Sequence, residues 1–319
     1  MVCLKEEVAE DIASPSKGSQ DSPAASGQDS GARDDKMEGI TQQLQKTEIN
    51  TGIWERALVI SDSRLRWLGN MAHNPTNEDI AVADYTNASQ VHVYDMNGKP
   101  KFTLDATQML HKPSGVAYTT GKYCVTDCTA YVRYYNAYNG KYCGRWMSVY
   151  PGGVQKGNEG ANLEGICVDR ASNILVGDVG GYCISKHTSD GDHLVSFKVV
   201  LKPDYLAVTP EDNIIISDQR CVQIVNQHGQ LICNVQYPNM SLPQGVCCCK
   251  ELILVCDWNS PNIYRLTQYG KYVDYIPTDA TQGDGCCCVT VNGDGTQIFV
   301  SRGHPDNNNS RVEVYKLKK

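Results

Sequence analysis

The sequence predicts an all-β chain, a six-bladed β-propeller behind a disordered N-terminal tail, and three observations carry that expectation. With 28 Gly, 18 Tyr and 3 Phe among 319 residues, the composition suits strands and turns better than helices. A unit of roughly forty residues recurs through the body. The first fifty residues share none of that pattern.

The tail, residues 1–50, holds 10 acidic and 5 basic side chains. Between Ala13 and Lys36 it is built from Ser, Gly, Gln, Asp, Pro and Ala, and it cannot bury enough apolar surface to offset the entropy of ordering. The propeller is expected over residues 51–319, which are close to neutral with 26 acidic against 24 basic side chains.

Each copy of the repeat reads as an apolar strand, a Gly or Asn turn, a β-branched strand ending in Asp, a loop, an alternating strand and an X-Gly turn. The clearest copy has Lys112-Pro113-Ser114-Gly115-Val116-Ala117-Tyr118, then Tyr123-Cys124-Val125-Thr126-Asp127, then Tyr131 to Tyr135 and a turn at Asn139-Gly140. The marker aspartates 84, 127, 178, 218 and 257 lie 43, 51, 40 and 39 residues apart, and Ser301 stands 44 further on in a sixth copy. That period is the size of a four-stranded blade. A blade cannot bury both faces alone, so six must close into a ring. The last copy, from Gly285 to Tyr315, ends on its third strand. Trp54 to Ile60 is placed to supply the missing outer strand and fasten the ring.

These motifs, P-x-G-[VI] followed by [IL]-x-V-x-D and an X-Gly turn, resemble NHL repeats, as found at the C-terminus of TRIM-NHL ubiquitin ligases. The resemblance covers about residues 60–315. It implies a non-catalytic recognition module, a protein–protein interaction adaptor in a ubiquitination setting. Two departures are Tyr205 in place of Gly and Ser301 in place of Asp, and no RING or B-box cysteine pattern accompanies the repeats.

Charge and motif content narrow the function classes. The formal net charge of −7 argues against bulk electrostatic binding of nucleic acid. No apolar run is long enough for a spanning helix, and the N-terminus lacks a signal-peptide pattern, so a cytoplasmic protein with no membrane association is expected. The 15 cysteines sit mostly inside apolar runs such as Val246-Cys247-Cys248-Cys249, where Cys serves as a small hydrophobe. P-loop, G-x-S-x-G and H-E-x-x-H motifs are absent from the sequence, and no catalytic residue is assigned.

Binding is expected on the face where the loops between second and third strands gather. Tyr85, Tyr131, Arg220, Trp258 and Arg302 are the candidate partner-binding anchors, because exposed Trp, Tyr and Arg dominate interface energies. Asn87, His304 and Asp306 lie in the same loops. The recurring aspartates are expected to organise their own turns. The position before the repeat Gly reads Asn70, Ser114, Glu164, Asp204, Gln244 and Asp284, six residues facing a central channel. Glu164, Asp204 and Asp284 could hold a hard cation such as calcium there, the basis of an alternative as a metal-dependent propeller hydrolase or lyase. A further alternative is single-stranded RNA bound through Arg133, Lys186, Arg220, Arg302 and Trp258.

Overall fold

The computed structural model describes residues 52–318, apart from 87–88, 105–109, 156–160, 236, 238, 282–283 and 304–309. The expected tail over residues 1–50, and the loop residues Asn87, His304 and Asp306, lie outside the described residues.

Six four-stranded antiparallel sheets form the fold, each in the order of the chain except the last. Blade 1 comprises β2 (Leu68–Asn74), β3 (Asp79–Asp84), β4 (Gln90–Asp95) and β5 (Pro100–Thr103). Four more blades repeat that order, and blade 6 comprises β22 (Gly285–Val291), β23 (Gln297–Gly303), β24 (Arg311–Leu317) and, as its outer strand, β1 (Trp54–Ser61). The register runs from Trp54 against Leu317 to Ser61 against Arg311, so the N-terminal strand closes the ring as the sequence predicts.

The second strand of each blade carries the strongest apolar run because both its faces are covered. In β3 all six residues are buried; Ile80 and Val82 pack toward blade 6 while Ala81 and Ala83 pack toward blade 2. That division follows from the period-two alternation of a strand. One apolar cluster fills each of the six blade junctions. Every Val, Ile or Leu buried there contributes about 1.5–3 kcal/mol.

The repeat glycine lies where neighbouring blades meet backbone to backbone. A Cβ on Gly115 would fall 2.4 Å from the Glu164 carbonyl oxygen, and one on Gly245 would fall 2.4 Å from the Cys288 Cα. A side chain at that position has to reach out across the channel. Tyr205 does so, and its ring packs against the cores of both the blade 4–5 and the blade 6–1 junctions.

Blade 6 departs from the sequence alignment by register. Val289 pairs with Val300 as Val246 pairs with Val255 and Ile166 with Val176. The marker position lies two residues after that partner, so it is Arg302, one residue beyond the expected Ser301. Cys288 accordingly takes the place of the repeat glycine; the three-cysteine run offers no glycine to fix the alignment, and Gly285 stands too early. A disulfide joins Cys256 on the second strand of blade 5 to Cys286 on β22, with a Cα–Cα distance of 5.3 Å. These two cysteines form a covalent link between blades, whereas Cys124, Cys287 and Cys288 are buried and outside any disulfide.

Candidate functional site

The marker aspartates tie loops together, as expected. Asp84 accepts the N–H groups of Arg66 at 2.8 Å and Thr86 at 2.9 Å; Asp178 accepts those of Asn162 and Gly180, both at 2.9 Å. Asp257 accepts those of Leu242 at 3.0 Å and Asn259 at 2.8 Å. Each carboxylate thus joins the loop entering its blade to the loop after its second strand. Blade 6 inverts this arrangement. Arg302 donates to the carbonyl oxygen of Pro261 at 2.9 Å, to Thr278 Oγ1 at 2.8 Å and to Glu313 Oε2 at 2.6 Å.

Between these fixed loops a cavity of about 670 Å³ opens at the end of the channel. Its floor is set by Ser114, Glu164, Asp204, Tyr205 and Gln244, and its rim includes Trp67, Tyr85, Tyr182, Lys202 and Arg220. A second cavity of about 430 Å³ opens at the opposite end, lined by successive first-strand residues of all six blades, and Tyr205 stands between the two levels.

Electrostatics single out the two carboxylates. Burial pushes the Asp204 carboxyl up, and the neighbouring charges of Glu164 and Asp218 push it further, to about 7; Lys202 and Arg220 oppose the rise. Burial also raises Glu164, although Asn162 Nδ2 donates to its Oε1 at 2.8 Å and Lys202 lowers it. Two acids that share one half-closed cavity resist being ionised together.

The structure sorts the sequence-predicted residues. Tyr85 and Arg220 line the cavity, Arg220 with a side chain 67% exposed and ion-paired to Asp218 at 2.7 Å. Tyr131 is half-buried beneath Arg145, whose guanidinium lies 4.2 Å from the ring centroid, and it does not reach the cavity. The Trp258 ring lies against the Gly285 backbone, where a Cβ would fall 2.6 Å from it, so the ring packs between blades. Arg302 corrects the surface assignment outright: it is fully buried, because its donors are needed by carbonyls and by Glu313.

The channel-mouth ring also needs correction. The residues before the repeat-glycine positions are Gly69, Ser114, Glu164, Asp204, Gln244 and Cys287, so Asn70 and Asp284 do not belong to it. Asp284 instead pairs with Arg311 at 3.2 Å, away from Glu164 and Asp204. Among the described residues no group of three or more His, Cys, Asp or Glu side chains could hold a metal ion. The basic residues expected to meet RNA are largely engaged: Arg133 with Asp127, Lys186 with Asp169 at 2.7 Å, and Arg302 with Glu313. Sequence reasoning missed Trp67 and Tyr182, which lie in loops without a repeat pattern, and Lys202, which opens a repeat copy as Lys112 does but drew no role; the one available signal was Tyr205 in a glycine position.

No family model and no curated protein matches the sequence. Solved structures do match the fold. A catalytically inactive virginiamycin B lyase from Staphylococcus aureus, solved with quinupristin, superposes with a TM-score of 0.60 at 9% identity, covering 83% of this chain and 100% of that one. A gluconolactonase from Xanthomonas campestris superposes with a TM-score of 0.63 at 14% identity, covering 85% of this chain and 93% of that one. At such identities the likeness concerns the fold, and this chain is a six-bladed β-propeller.

Proposed function

We propose that this chain is a recognition module that binds a partner protein at the channel-mouth face. The observation that carries this reading is the ring of exposed anchors around a cavity: Trp67 is 45% exposed, Tyr182 is 39% exposed and the Arg220 side chain projects beside them. Aromatic and arginine side chains around a concave centre are the usual composition of an energetic hot spot. The ubiquitination setting rests on the NHL-like repeat motifs alone. The test places a photo-crosslinking phenylalanine analogue at Tyr182 in the full chain. A discrete protein adduct that weakens in Arg220→Ala and Trp67→Ala supports the reading, and an adduct to RNA or none at all sinks it.

A second reading is favoured by Asp204, whose carboxyl is raised to about 7 beside Glu164. A carboxyl so poised suits general acid–base catalysis near neutral pH. The two propeller enzymes of similar fold, a lyase and a lactonase, support it as an alternative. It predicts turnover of a lactone or ester panel that falls at least about a hundredfold in Asp204→Asn; no turnover by the unmodified chain removes this reading.

A further inference from the structure

Gln244 is only 8% exposed, yet its side-chain amide has no hydrogen-bond partner among the described residues, and it lines the floor of the 670 Å³ cavity. The polar atoms of that amide are not sealed off inside the protein, so they face whatever occupies the cavity. Next to it the Asp204 carboxylate accepts no hydrogen bond among the described residues, and Glu164 has only Oε1 engaged, by Asn162. Three oxygen acceptors without a hydrogen-bond donor among the described residues therefore line one cavity: the Gln244 amide oxygen, the Asp204 carboxylate and Glu164 Oε2.

We infer that the cavity receives the ammonium group of a lysine side chain presented by the partner protein. This deepens the recognition reading and rests on it. A lysine ammonium brings three donors and no acceptor, which matches three acceptor oxygens. Its four-carbon stem needs an apolar sleeve on the way in, and Trp67, Tyr85 and Tyr182 line that path. Aromatic faces also attract a cation directly. The chain already shows the same chemistry at the rim, where the Lys112 ammonium lies 5.5 Å from the Tyr85 ring centroid.

Charge on the floor makes the site pH-dependent. The groups facing Asp204 are Glu164 from blade 3, Asp218 and Arg220 from the second strand and loop of blade 4, and Lys202 from the loop entering that blade. Asp204 loses its proton as pH rises through about 7, and an incoming ammonium would stabilise the deprotonated form. Lysine binding therefore strengthens from pH 5.5 to pH 8.

The experiment is calorimetric titration of the full chain with a capped Gly-Lys-Gly peptide, its norleucine counterpart and its arginine counterpart, at pH 5.5 and pH 8. The lysine peptide binds at pH 8 at least tenfold more tightly than the norleucine peptide. Glu164→Gln and Gln244→Ala each weaken it severalfold, and Asp204→Asn removes most of the pH dependence while thermal melting shows the variants folded. Equal binding of lysine and norleucine peptides overturns the inference, as does preference for arginine. Thermal stabilisation by calcium without a response to the lysine peptide also overturns it, in favour of an inorganic cation. A protein adduct at Tyr182 that is indifferent to Glu164→Gln would leave the recognition surface standing and refute the lysine pocket alone. Lysine-peptide binding without any protein adduct would do the reverse.

Discussion

Arg302 donates its Nε–H to Glu313 Oε2 across 2.6 Å, and both side chains are wholly shielded from solvent. The pair stands where the other five blades use an aspartate, and it sits in the blade that closes the ring. Tyr315 donates to the same Glu313 oxygen at 2.8 Å and Arg311 donates to the other at 2.8 Å. Breaking a buried pair strands a charge, so Arg302→Met is expected to cost about 3–5 kcal/mol. The double variant Arg302→Met with Glu313→Leu should lose less than the single one. Urea unfolding of the three chains measures both; equal losses in the single and double variants would refute the pairing.

Two carboxylates with opposite shifts, Glu313 and Asp204, predict opposite pH trends. Burial alone would raise Glu313, but Arg302, Tyr315 and Arg311 outweigh it and hold its carboxyl below the ordinary value of 4.5. Its contribution is present above that value and is lost as pH falls through the lowered one. Asp204 is raised from 3.8 to about 7, so the folded state is increasingly penalised as pH climbs between those values. Melting temperature followed against pH should therefore show Asp204→Asn gaining on the unmodified chain from pH 4 to pH 7 and holding a constant lead above. Glu313→Gln should lose most at neutral pH and least below pH 4.

The repeat glycines predict a sharp steric response. Gly115→Ala drives a Cβ to 2.4 Å from the Glu164 carbonyl oxygen and from Thr126 Oγ1. Backbone cannot yield cheaply there, so a loss of about 1–3 kcal/mol is expected. Gly293→Ala is the control, because its Cβ position meets only the Pro75 Cβ, at an ordinary 3.7 Å, and its φ is not in the left-handed region. Chemical denaturation should separate the two, with Gly115 the more sensitive.

Ring closure predicts a length threshold. A chain beginning at Gly52 retains β1, whose register with β24 spans Trp54 to Ser61. A chain beginning at Asp62 leaves β24 as an open edge and uncovers Val312 and Val314. The shorter chain should melt lower and elute partly as aggregates on size exclusion, while the longer one should not.

The order of strands, the number of blades and the closing strand were legible in the sequence, because each is a matter of local period and turn chemistry. Glycine at positive φ in the X-Gly turns, such as Gly229 at +78°, and the apolar run of each second strand are signals read within a few residues. The candidate site was legible in part. Glu164, Asp204 and Gln244 could be aligned because blades 3, 4 and 5 keep their repeat spacing. Asp284 could not, because the cysteine run of β22 obscures the register by three residues.

What the sequence by itself determined is the propeller: a two-residue period and a forty-residue repeat are enforced on every blade by the same backbone hydrogen bonding and junction burial. What only the tertiary structure decided is which side chains meet. Arg302 reads as a surface cation until the ring closes and places it against Glu313, and Trp258 reads as an anchor until Gly285 passes beneath its ring. Such encounters join residues of different blades or strands, whose separation along the chain bears no relation to their separation in space. Burial and the charges that accompany it are properties of the closed ring, and no stretch of sequence carries them alone.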